Sequence, residues 1–392
     1  MKSHRIAFAP LLLPVVPAGA GTLLPETQRY DLSYQLYQED DDRMRIESWY
    51  VRGNADFGDL GSFRFQYLND AISGASPTGA LSGGVQPFYA ELEDVREGIL
   101  GAYAHQFGEH RVELELSYSE EDDYISRGLA LSDSVEINDK NTTLSFGLNL
   151  LDDTVKVPML DDKAKDSFDF FTGVSQIIDK NTIVTANLTL GYSNGYLNDP
   201  YKVVQRTDIE KVPDGLGGTI DVPVVNLYRE NRPDSRFRQV LQLEGLHYIE
   251  AAKGAVEATL RLSNDDYGVF SQTAQIEWRQ EVGEKLLLVP FFRFYHQNDA
   301  DFFVRSLDGL NVGTPSHAPD GSGVNYSADY RLSSLNAISG GLRMNYQIND
   351  HFGLSAAYER YVMEGTGSSS SQSEGQAYPS ADIWTFGLNA EF

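Results

Sequence analysis

Two runs of consecutive acidic residues are the part of the chain best suited to bind a ligand directly. Each run brings four carboxylates together. Carboxylate oxygens bind Ca²⁺ and Mg²⁺, and these ions can also bridge acidic side chains to the phosphates of lipopolysaccharide. Neither run has the spaced ligands and the glycine of a dedicated calcium loop, so solvated acidic turns are the alternative. The candidate cation ligands are Glu39, Asp40, Asp41, Asp42, Glu120, Glu121, Asp122 and Asp123.

A second set of charged residues occurs at alternate positions along the chain. Alternate residues of a β-strand lie on one face of a sheet, so these charges predict a shared polar wall. Charges of both signs on neighbouring strands form cross-strand pairs, and a wide barrel lined by them holds water. Two interpretations follow: a cation-leaning pore, or a lattice of structural ion pairs in a plugged lumen. The candidate lumen-lining residues are Arg52, Arg64, Glu113, Glu115, Glu244, Glu257, Arg261, Glu277, Arg279, Glu281, Arg293, Arg343 and Glu359.

The histidines offer little sign of catalysis. None of the seven pairs with another at a spacing of four residues, and H-E-x-x-H does not occur. The absence of cysteine excludes disulfides, thiolate metal sites and thiol catalysis. A barrel enzyme builds its site from residues distant in sequence, so His105 or His296 beside a carboxylate is the remaining route to catalysis. We therefore predict no catalytic residues and no cofactor, and any flavin would belong to a partner protein.

The elements that must position these charges are strands with one apolar face. The final stretch, Asp382–Phe392, has a period of two that places its apolar and polar residues on opposite faces. A strand between lipid and lumen needs this pattern, and bacterial outer-membrane barrels typically close on such a strand with a terminal Phe. The same alternation recurs at 112–119, 143–150 and 256–263. A soluble sandwich would need a partner sheet to cover so many apolar faces.

Composition and charge agree with one large closed sheet. The 392 residues include 22 Tyr, 20 Phe and 35 Gly, which favours a sheet over several soluble domains. Mean hydropathy is -0.35, and no apolar run approaches the ~20 residues of a membrane helix. A membrane protein without such a run must be a barrel, because its backbone polar groups need a closed ladder. The formal charge of -26 excludes a general affinity for nucleic acid.

The chain is predicted to be all-β: a transmembrane, antiparallel, up-and-down β-barrel of about 16 strands with short periplasmic turns and long extracellular loops. Short turns are expected at 138–141, 179–181, 251–254, 283–285 and 349–351, and long loops at 73–87, 196–234, 301–332 and 365–380. This asymmetry places the protein in the outer membrane of a Gram-negative bacterium.

The N-terminal residues are predicted to form a targeting segment. Basic residues precede an apolar stretch at 6–16, and Ala18-Gly19-Ala20 forms a small-residue cleavage site. A disordered tail is the alternative. The predicted organisation is a signal peptide over 1–20, a periplasmic segment over 21–29 and the barrel over 30–392.

Two strings resemble a family of uncharacterised Gram-negative proteins known only as a domain of unknown function. They are L-Y-Q-E-D-D-D-R-M-R-I-E at 36–47 and Y-S-N-G-Y-L-N-D-P-Y-K at 192–202. The resemblance covers nearly all of the chain after Tyr30 and implies an outer-membrane barrel. Genes of the family often lie beside a small lipoprotein, a thioredoxin-like protein and a flavin transferase. The resemblance therefore implies a connection to extracytosolic electron transfer, but it assigns no functional residues.

Two functional hypotheses follow. The first is a porin-like passive channel for small hydrophilic solutes or cations. The second is a structural or docking component of a flavin-linked electron-transfer assembly in the envelope. An outer-membrane enzyme is a less favoured alternative to both. Expected partners are outer-membrane lipid, lipopolysaccharide and the barrel assembly machinery, together with a small lipoprotein or a thioredoxin-like periplasmic protein.

Overall fold

A computed structural model describes residues 25–82, 86–215, 217–366 and 377–392. The predicted signal peptide over 1–20 lies outside the described residues. Within them, 16 strands form one closed barrel in which each strand pairs with both neighbours in antiparallel orientation. The predicted fold class is therefore confirmed.

Among the residues that the structure describes, no helix is long and apolar enough to cross a membrane.

The strands follow one another around the barrel in chain order, except that two of them form a separate hairpin between the ninth and twelfth. Their bounds are β1 Thr27–Glu39, β2 Met44–Asp56, β3 Ser62–Ser82, β4 Gln86–Phe107, β5 His110–Glu120, β6 Tyr124–Ile137, β7 Thr142–Val155, β8 Lys163–Asp179, β9 Thr182–Gly195, β10 Val203–Pro213, β11 Thr219–Arg229, β12 Ser235–Ile249, β13 Gly254–Asp265, β14 Phe270–Val282, β15 Leu286–Gln297, β16 Leu335–Gln347, β17 Phe352–Gly365 and β18 Ser380–Glu391. The hairpin consists of β10 and β11. The barrel begins slightly before the predicted Tyr30.

The first and last strands close the barrel. Leu32 of β1 lies opposite Val51 of β2 on one side and Leu388 of β18 on the other. The terminal Phe392 and Gln28 exchange two backbone hydrogen bonds of 2.8 Å each. A closed ladder has no free edge, so every strand satisfies its backbone polar groups within the sheet.

The apolar side chains of the barrel face outward. Leu116, Leu260 and Phe386 are 60%, 43% and 51% exposed in the isolated chain. A water-soluble fold would bury such residues. This surface is therefore suited to contact with lipid, as is the outer face of a membrane barrel. The apolar clusters that are buried lie instead at one end of the barrel, and one of them contains Tyr267 and Phe302.

The two ends of the barrel differ in their connections. At one end, which we call the short-turn end, the chain reverses within a few residues, as at 108–109 and 138–141. Left-handed backbone at Asn138 and Asp139, both with φ of 53°, makes one of these reversals possible. At the other, long-loop end, residues 196–234 and 298–334 form the longest connections.

Two of the predicted loops contain more strand than expected. Residues 73–87 do not form an open loop, because β3 and β4 continue pairing as far as Ser82 and Gln86, with a register shift between Pro77 and Leu81. The connection at 196–234 contains the hairpin of β10 and β11. Both segments extend past the apolar band, where the alternation of apolar and polar residues stops although the backbone pairing continues.

Candidate functional site

The strand register places all of the predicted lumen-lining residues on the inward face, opposite the exposed apolar residues. Several of them form cross-strand ion pairs. Arg64 Nη2 lies 2.6 Å from Glu113 Oε1 and 2.9 Å from Glu115 Oε2. Arg279 Nη2 lies 2.5 Å from Glu257 Oε2. This part of the lumen wall is therefore a lattice of opposite charges.

Other lumenal arginines bind neutral groups. Arg261 donates to Gln242 Oε1 at 2.7 Å, and Arg293 donates to Gln275 Oε1 at 2.7 Å. Neither has a carboxylate partner among the described residues, and the same holds for Arg238 on β12. These guanidinium groups therefore keep their full charge towards the lumen water.

The two longest connections, residues 196–234 and 298–334, pack on each other; together we call them the cap. Val204, Leu307 and Tyr326 form a buried apolar cluster between them. The backbone of Asn231 and Tyr326 exchanges two hydrogen bonds of 2.9 Å. The cap therefore has a core of its own at the long-loop end.

A buried group of charges lies in the centre of the cap. Glu230 and Asp329 are fully buried. Arg232 bridges them, with Nε 2.7 Å from Glu230 Oε1 and Nη2 2.7 Å from Asp329 Oδ2. Arg331 pairs with Asp329 at 2.6 Å and also with Asp199. Because both carboxylates are desolvated, removing one partner leaves a charge that no water can compensate.

The two buried carboxyl groups have opposite pKa shifts. Burial raises the pKa of Glu230, although Arg232 opposes this effect. Burial also acts to raise the pKa of Asp329, but the charges of Arg331 and Arg232 outweigh it and hold that pKa below its usual value. Asp329 is therefore the ionised centre of the group.

Lys202 extends the same group of charges to the barrel wall. Its side chain is buried, and Nζ donates to Ser76 Oγ at 3.3 Å and to the carbonyl oxygen of Pro77, both on β3. The ammonium group also lies 5.7 Å from the ring centre of Tyr330. Burial lowers the pKa of Lys202. A cation from one side of the mouth is thus held by a strand on the opposite side.

Further contacts join the cap to other parts of the rim. Tyr201 donates to Asp123 Oδ2 at 2.6 Å in the connection between β5 and β6. Arg229 donates to a carbonyl oxygen in the connection between β7 and β8 at 2.8 Å. Ser333 and Tyr378 share a hydrogen bond of 2.6 Å before β18. Because these connections lie around the whole circumference, the cap spans the mouth of the barrel.

Two cavities lie beneath the cap, and Arg331 borders both. The first has a volume of about 570 Å³ and the second about 430 Å³. Their cationic lining residues are Lys165, Arg232, Arg236, Arg238 and Arg331 in the first, and Arg261, Arg293 and Arg331 in the second. The lumen next to the cap is therefore rich in arginine although the chain as a whole is acidic.

The first predicted cation-binding run is largely neutralised by ion pairs. Glu39 Oε2 lies 3.2 Å from Arg43 Nε, and Asp40 accepts from Arg360 Nη1 at 2.7 Å. Asp41 and Asp42 are exposed in a turn with left-handed backbone, and among the described residues no three carboxylates of this run lie close enough together to share an ion. This run therefore does not gather its four carboxylates around one point.

The second run contributes to a cluster that the sequence does not show. Glu121 and Asp123 meet Asp94 of β4, with one ligand oxygen of each residue within 4.8 Å of the others. Glu120 accepts from a tyrosine hydroxyl at 2.9 Å, and Asp122 donates its backbone N–H to Asp94 at 3.1 Å. Two of the four predicted ligands are thus brought together, and the third member comes from a neighbouring strand.

The candidate histidines lie outside the lumen. His105 contacts the rings of Tyr103 and Phe107 on the outward face, with centroids 6.4 Å and 4.5 Å away. His296 Nδ1 lies 2.8 Å from Asn336 Oδ1. Neither has a carboxylate partner among the described residues. This geometry offers no proton relay at either position.

The sequence also contains G-x-S-x-G at residues 191–195. A hydrolase nucleophile in this motif needs a sharp turn between a strand and a helix. Here the motif lies inside β9, and Ser193 Oγ bonds with Ser167 Oγ at 2.9 Å. The motif is therefore a stretch of barrel wall.

Sequence reasoning did not identify the charges of the cap. Glu230, Arg232, Asp329 and Arg331 lie in segments without periodicity and with ordinary loop composition. The one available signal is the string at 192–202, whose dense aromatic and polar residues include Asp199, Tyr201 and Lys202. Asp199 accepts from the Tyr201 backbone N–H at 2.9 Å, which gives the turn that the Asp-Pro step predicts.

Several solved structures are similar to this chain. CdiB from Acinetobacter baumannii has a TM-score of 0.50 at 10% identity, with 93% of this chain and 60% of that chain covered. The siderophore receptor PirA from Pseudomonas aeruginosa has a TM-score of 0.44 at 10% identity, with 92% of this chain and 62% of that chain covered. OmpT of Vibrio cholerae has a TM-score of 0.44 at 8% identity, with 93% of this chain and 97% of that chain covered.

The chain thus spans about three fifths of the length of the first two proteins. At such low identity the likeness concerns the fold alone. That fold is the one of Gram-negative outer-membrane β-barrel proteins.

No curated protein matches this sequence. A family model described as "Protein of unknown function (DUF3570)" matches residues 5–85, 81–164 and 157–383. These segments cover nearly the whole chain, so the resemblance noted for the strings at 36–47 and 192–202 is confirmed. The chain belongs to the DUF3570 family of proteins of unknown function.

Proposed function

We propose that the protein is an outer-membrane channel for small hydrophilic solutes, which enter past the cap. The observation that carries this proposal is the polar lumen of a barrel wide enough for an aqueous path, with unneutralised arginines directly beneath the cap. In this proposal the long loops face the cell exterior and both termini face the periplasm.

The arginines favour anionic solutes over the cations that the sequence suggests. Arg238, Arg261 and Arg293 have no carboxylate partner among the described residues, and Arg331 faces both cavities. A narrow, low-dielectric passage concentrates the field of such groups and raises the local concentration of ions of opposite charge. Guanidinium forks also match the geometry of carboxylate and phosphate groups.

Conductance of the refolded protein in planar bilayers tests this function. We expect discrete conductance steps, with a reversal potential in a KCl gradient that shows a preference for chloride. Arg261→Gln with Arg293→Gln should shift the reversal potential towards potassium, because two free charges leave the lumen. Lys140→Gln with Lys180→Gln, an equal charge change in exposed turns, should leave it unchanged.

A channel is contradicted if the folded wild type stays silent at high salt and voltage and a variant with a loosened cap, Asp329→Asn, is silent too. A shift of equal size in the lumenal and the turn variants would contradict the role of the lumenal arginines.

A docking component of an envelope assembly is the second candidate. The cap spans the mouth and has its own core, and the hairpin of β10 and β11 exposes Ile209, Val225 and Leu227. Such an apolar face is typical of interaction surfaces. The family resemblance suggests a small lipoprotein or a thioredoxin-like protein as the partner.

Copurification from native membranes tests the docking candidate. The wild type should retain a partner that Ile209→Asp with Val225→Asp loses, whereas Glu210→Gln on the same hairpin should retain it. Recovery of the barrel alone from native membranes counts against docking. Neither candidate includes catalysis.

A further inference from the structure

We propose that Asp94, Glu121 and Asp123 hold a divalent cation at the long-loop end of the barrel. Asp94 lies on β4, and the other two lie in the connection between β5 and β6. One oxygen of each carboxylate lies within 4.8 Å of the others, a spacing that one ion can bridge. A set made only of carboxylates suits Ca²⁺, whose coordination is flexible, better than Mg²⁺.

Asp70 provides an independent reason to expect a cation there. It is only 9% exposed, its Oδ1 atom is buried without a hydrogen-bond partner, and it has no ion pair among the described residues. Asp70 lies opposite Arg96 of β4, whose Nε atom is 3.5 Å from Glu121 Oε1, so the three side chains share one inward-facing row. A buried carboxylate without a partner is unfavourable, and a nearby cation would compensate it.

The charge balance of the site also favours a further cation. Asp70, Asp94, Glu121 and Asp123 carry four negative charges, and Arg96 supplies one positive charge, which leaves 4 - 1 = 3 negative charges unbalanced. Lys165 pairs with Asp153 at 3.1 Å and Lys202 binds β3, so neither of these two lysines neutralises the cluster.

The site is joined to the cap through Asp123. Tyr201 donates to Asp123 Oδ2 at 2.6 Å, which leaves Oδ1 of the same carboxylate for the ion. An ion that fixes Asp123 therefore also fixes the rim contact of Tyr201. This inference concerns ion binding and cap order, so it does not depend on whether the barrel conducts.

Calorimetric titration of the refolded full-length protein with CaCl₂ tests the site. We expect one ion per chain, with a dissociation constant of about 10⁻⁴–10⁻³ M, as in other extracellular calcium modules. Glu121→Gln with Asp123→Asn should weaken binding at least about tenfold, because two of the three direct ligands lose their charge. Asp70→Asn should weaken it less, since Asp70 acts from the edge of the cluster.

The neighbouring pair Glu120→Gln with Asp122→Asn is the matched control, because it removes the same charge from the same acidic run. The Ca²⁺ affinity of this control variant should equal that of the wild type. Equal weakening in both double variants, or no binding by correctly folded wild type, would overturn the site. Folding of each variant is checked by the heat-modifiable migration of the barrel in gels. If Glu121→Gln with Asp123→Asn does not fold, the Ca²⁺ affinity of Asp70→Asn tests the site instead.

Hydrogen exchange tests the link to the cap. Ca²⁺ should slow exchange in residues 196–202 of the wild type. Tyr201→Phe should still bind Ca²⁺ but lose this protection, because the hydroxyl that connects the cap to Asp123 is gone. Equal protection in the wild type and Tyr201→Phe would overturn the link.

Discussion

Asp329 is the residue on which the internal charges of the cap converge. It is fully buried and accepts from Arg232 and Arg331, which come from different loops. Asp329→Asn keeps the shape of the side chain but removes its charge, so both guanidinium groups lose a desolvated partner. We expect the cap to lose about 3–5 kcal/mol of local stability.

Hydrogen exchange of residues 326–334 measures this loss. Asp320→Asn in the same loop is the control, because Asp320 is exposed and, among the described residues, its side chain bonds only to Ser322 in its own turn. Exchange in the barrel strands should stay slow in both variants. Unchanged exchange of residues 326–334 in Asp329→Asn would show that the buried charges do not hold the cap together.

Asp208 makes the hairpin of β10 and β11 sensitive to acid. Its Oδ2 atom accepts from the Tyr228 hydroxyl at 2.6 Å and from Asn226 at 2.9 Å, and Arg206 lies beside it. These bonds, that of Tyr228 first, lower the pKa of Asp208 to about 2. The unfolded value is about 3.9, so the folded hairpin favours the ionised form.

The stabilisation from Asp208 is therefore present above about pH 4 and is lost as the pH falls from about 4 to about 2. Limited proteolysis within residues 203–229 across this pH range measures the effect, with an acid-stable protease. The Asp208→Asn hairpin should be cleaved more readily at neutral pH and show a smaller change on acidification. A wild-type hairpin that shows the same cleavage at pH 5 and pH 2 would contradict this assignment.

At the scale of elements, the extended hairpin of β3 and β4 supports the cap at Gly79. Gly79 has a φ of 92°, and a Cβ atom at this position would lie 2.5 Å from the Ala328 carbonyl oxygen. Gly79→Ala should therefore destabilise the contact between hairpin and cap by about 1–3 kcal/mol, through backbone strain and the clash.

Accessibility of the cap to protease measures the effect of Gly79→Ala. Gly245→Ala on β12 is the control, since a Cβ atom there meets no neighbour and the backbone conformation is ordinary. We expect faster cleavage in residues 298–334 for Gly79→Ala alone. Equal cleavage in the two variants would show that the close approach of Gly79 to the cap has no energetic consequence.

At the scale of the whole molecule, the barrel is apolar outside and polar inside. Leu260 faces outward and Thr259 faces the second cavity, although they are consecutive in β13. Leu260→Arg should destabilise the barrel in a bilayer by about 2–4 kcal/mol, because a charge near the midplane enters hydrocarbon. Thr259→Arg introduces the same side chain into water and should be tolerated.

Urea unfolding in lipid vesicles compares these two variants with the wild type. Equal destabilisation by both arginines would mean that the faces of β13 are not separated into lipid and lumen. A greater loss for Thr259→Arg would reverse the assignment of inside and outside.

The amino-acid sequence alone is sufficient to predict the barrel: its class, its approximate strand number, which residues face outward or inward, and the positions of most turns. The alternation that carries this information has a period of two and is repeated in most barrel strands, so these strands can be recognised without knowledge of their neighbours. The lumen-lining positions follow from the same alternation. The extension of β3 and β4 did not follow, because pairing beyond the membrane does not require alternating side chains.

The cap and the carboxylate cluster can be recognised only in the folded protein. Arg232 and Asp329 are 97 residues apart, and Lys202 is 125 residues from its acceptor Pro77. Asp94 reaches Glu121 and Asp123 only because β4 and β5 pair in one particular register. These contacts depend on how the closed barrel brings its loops across the mouth. No local sequence pattern indicates which of these distant residues will meet.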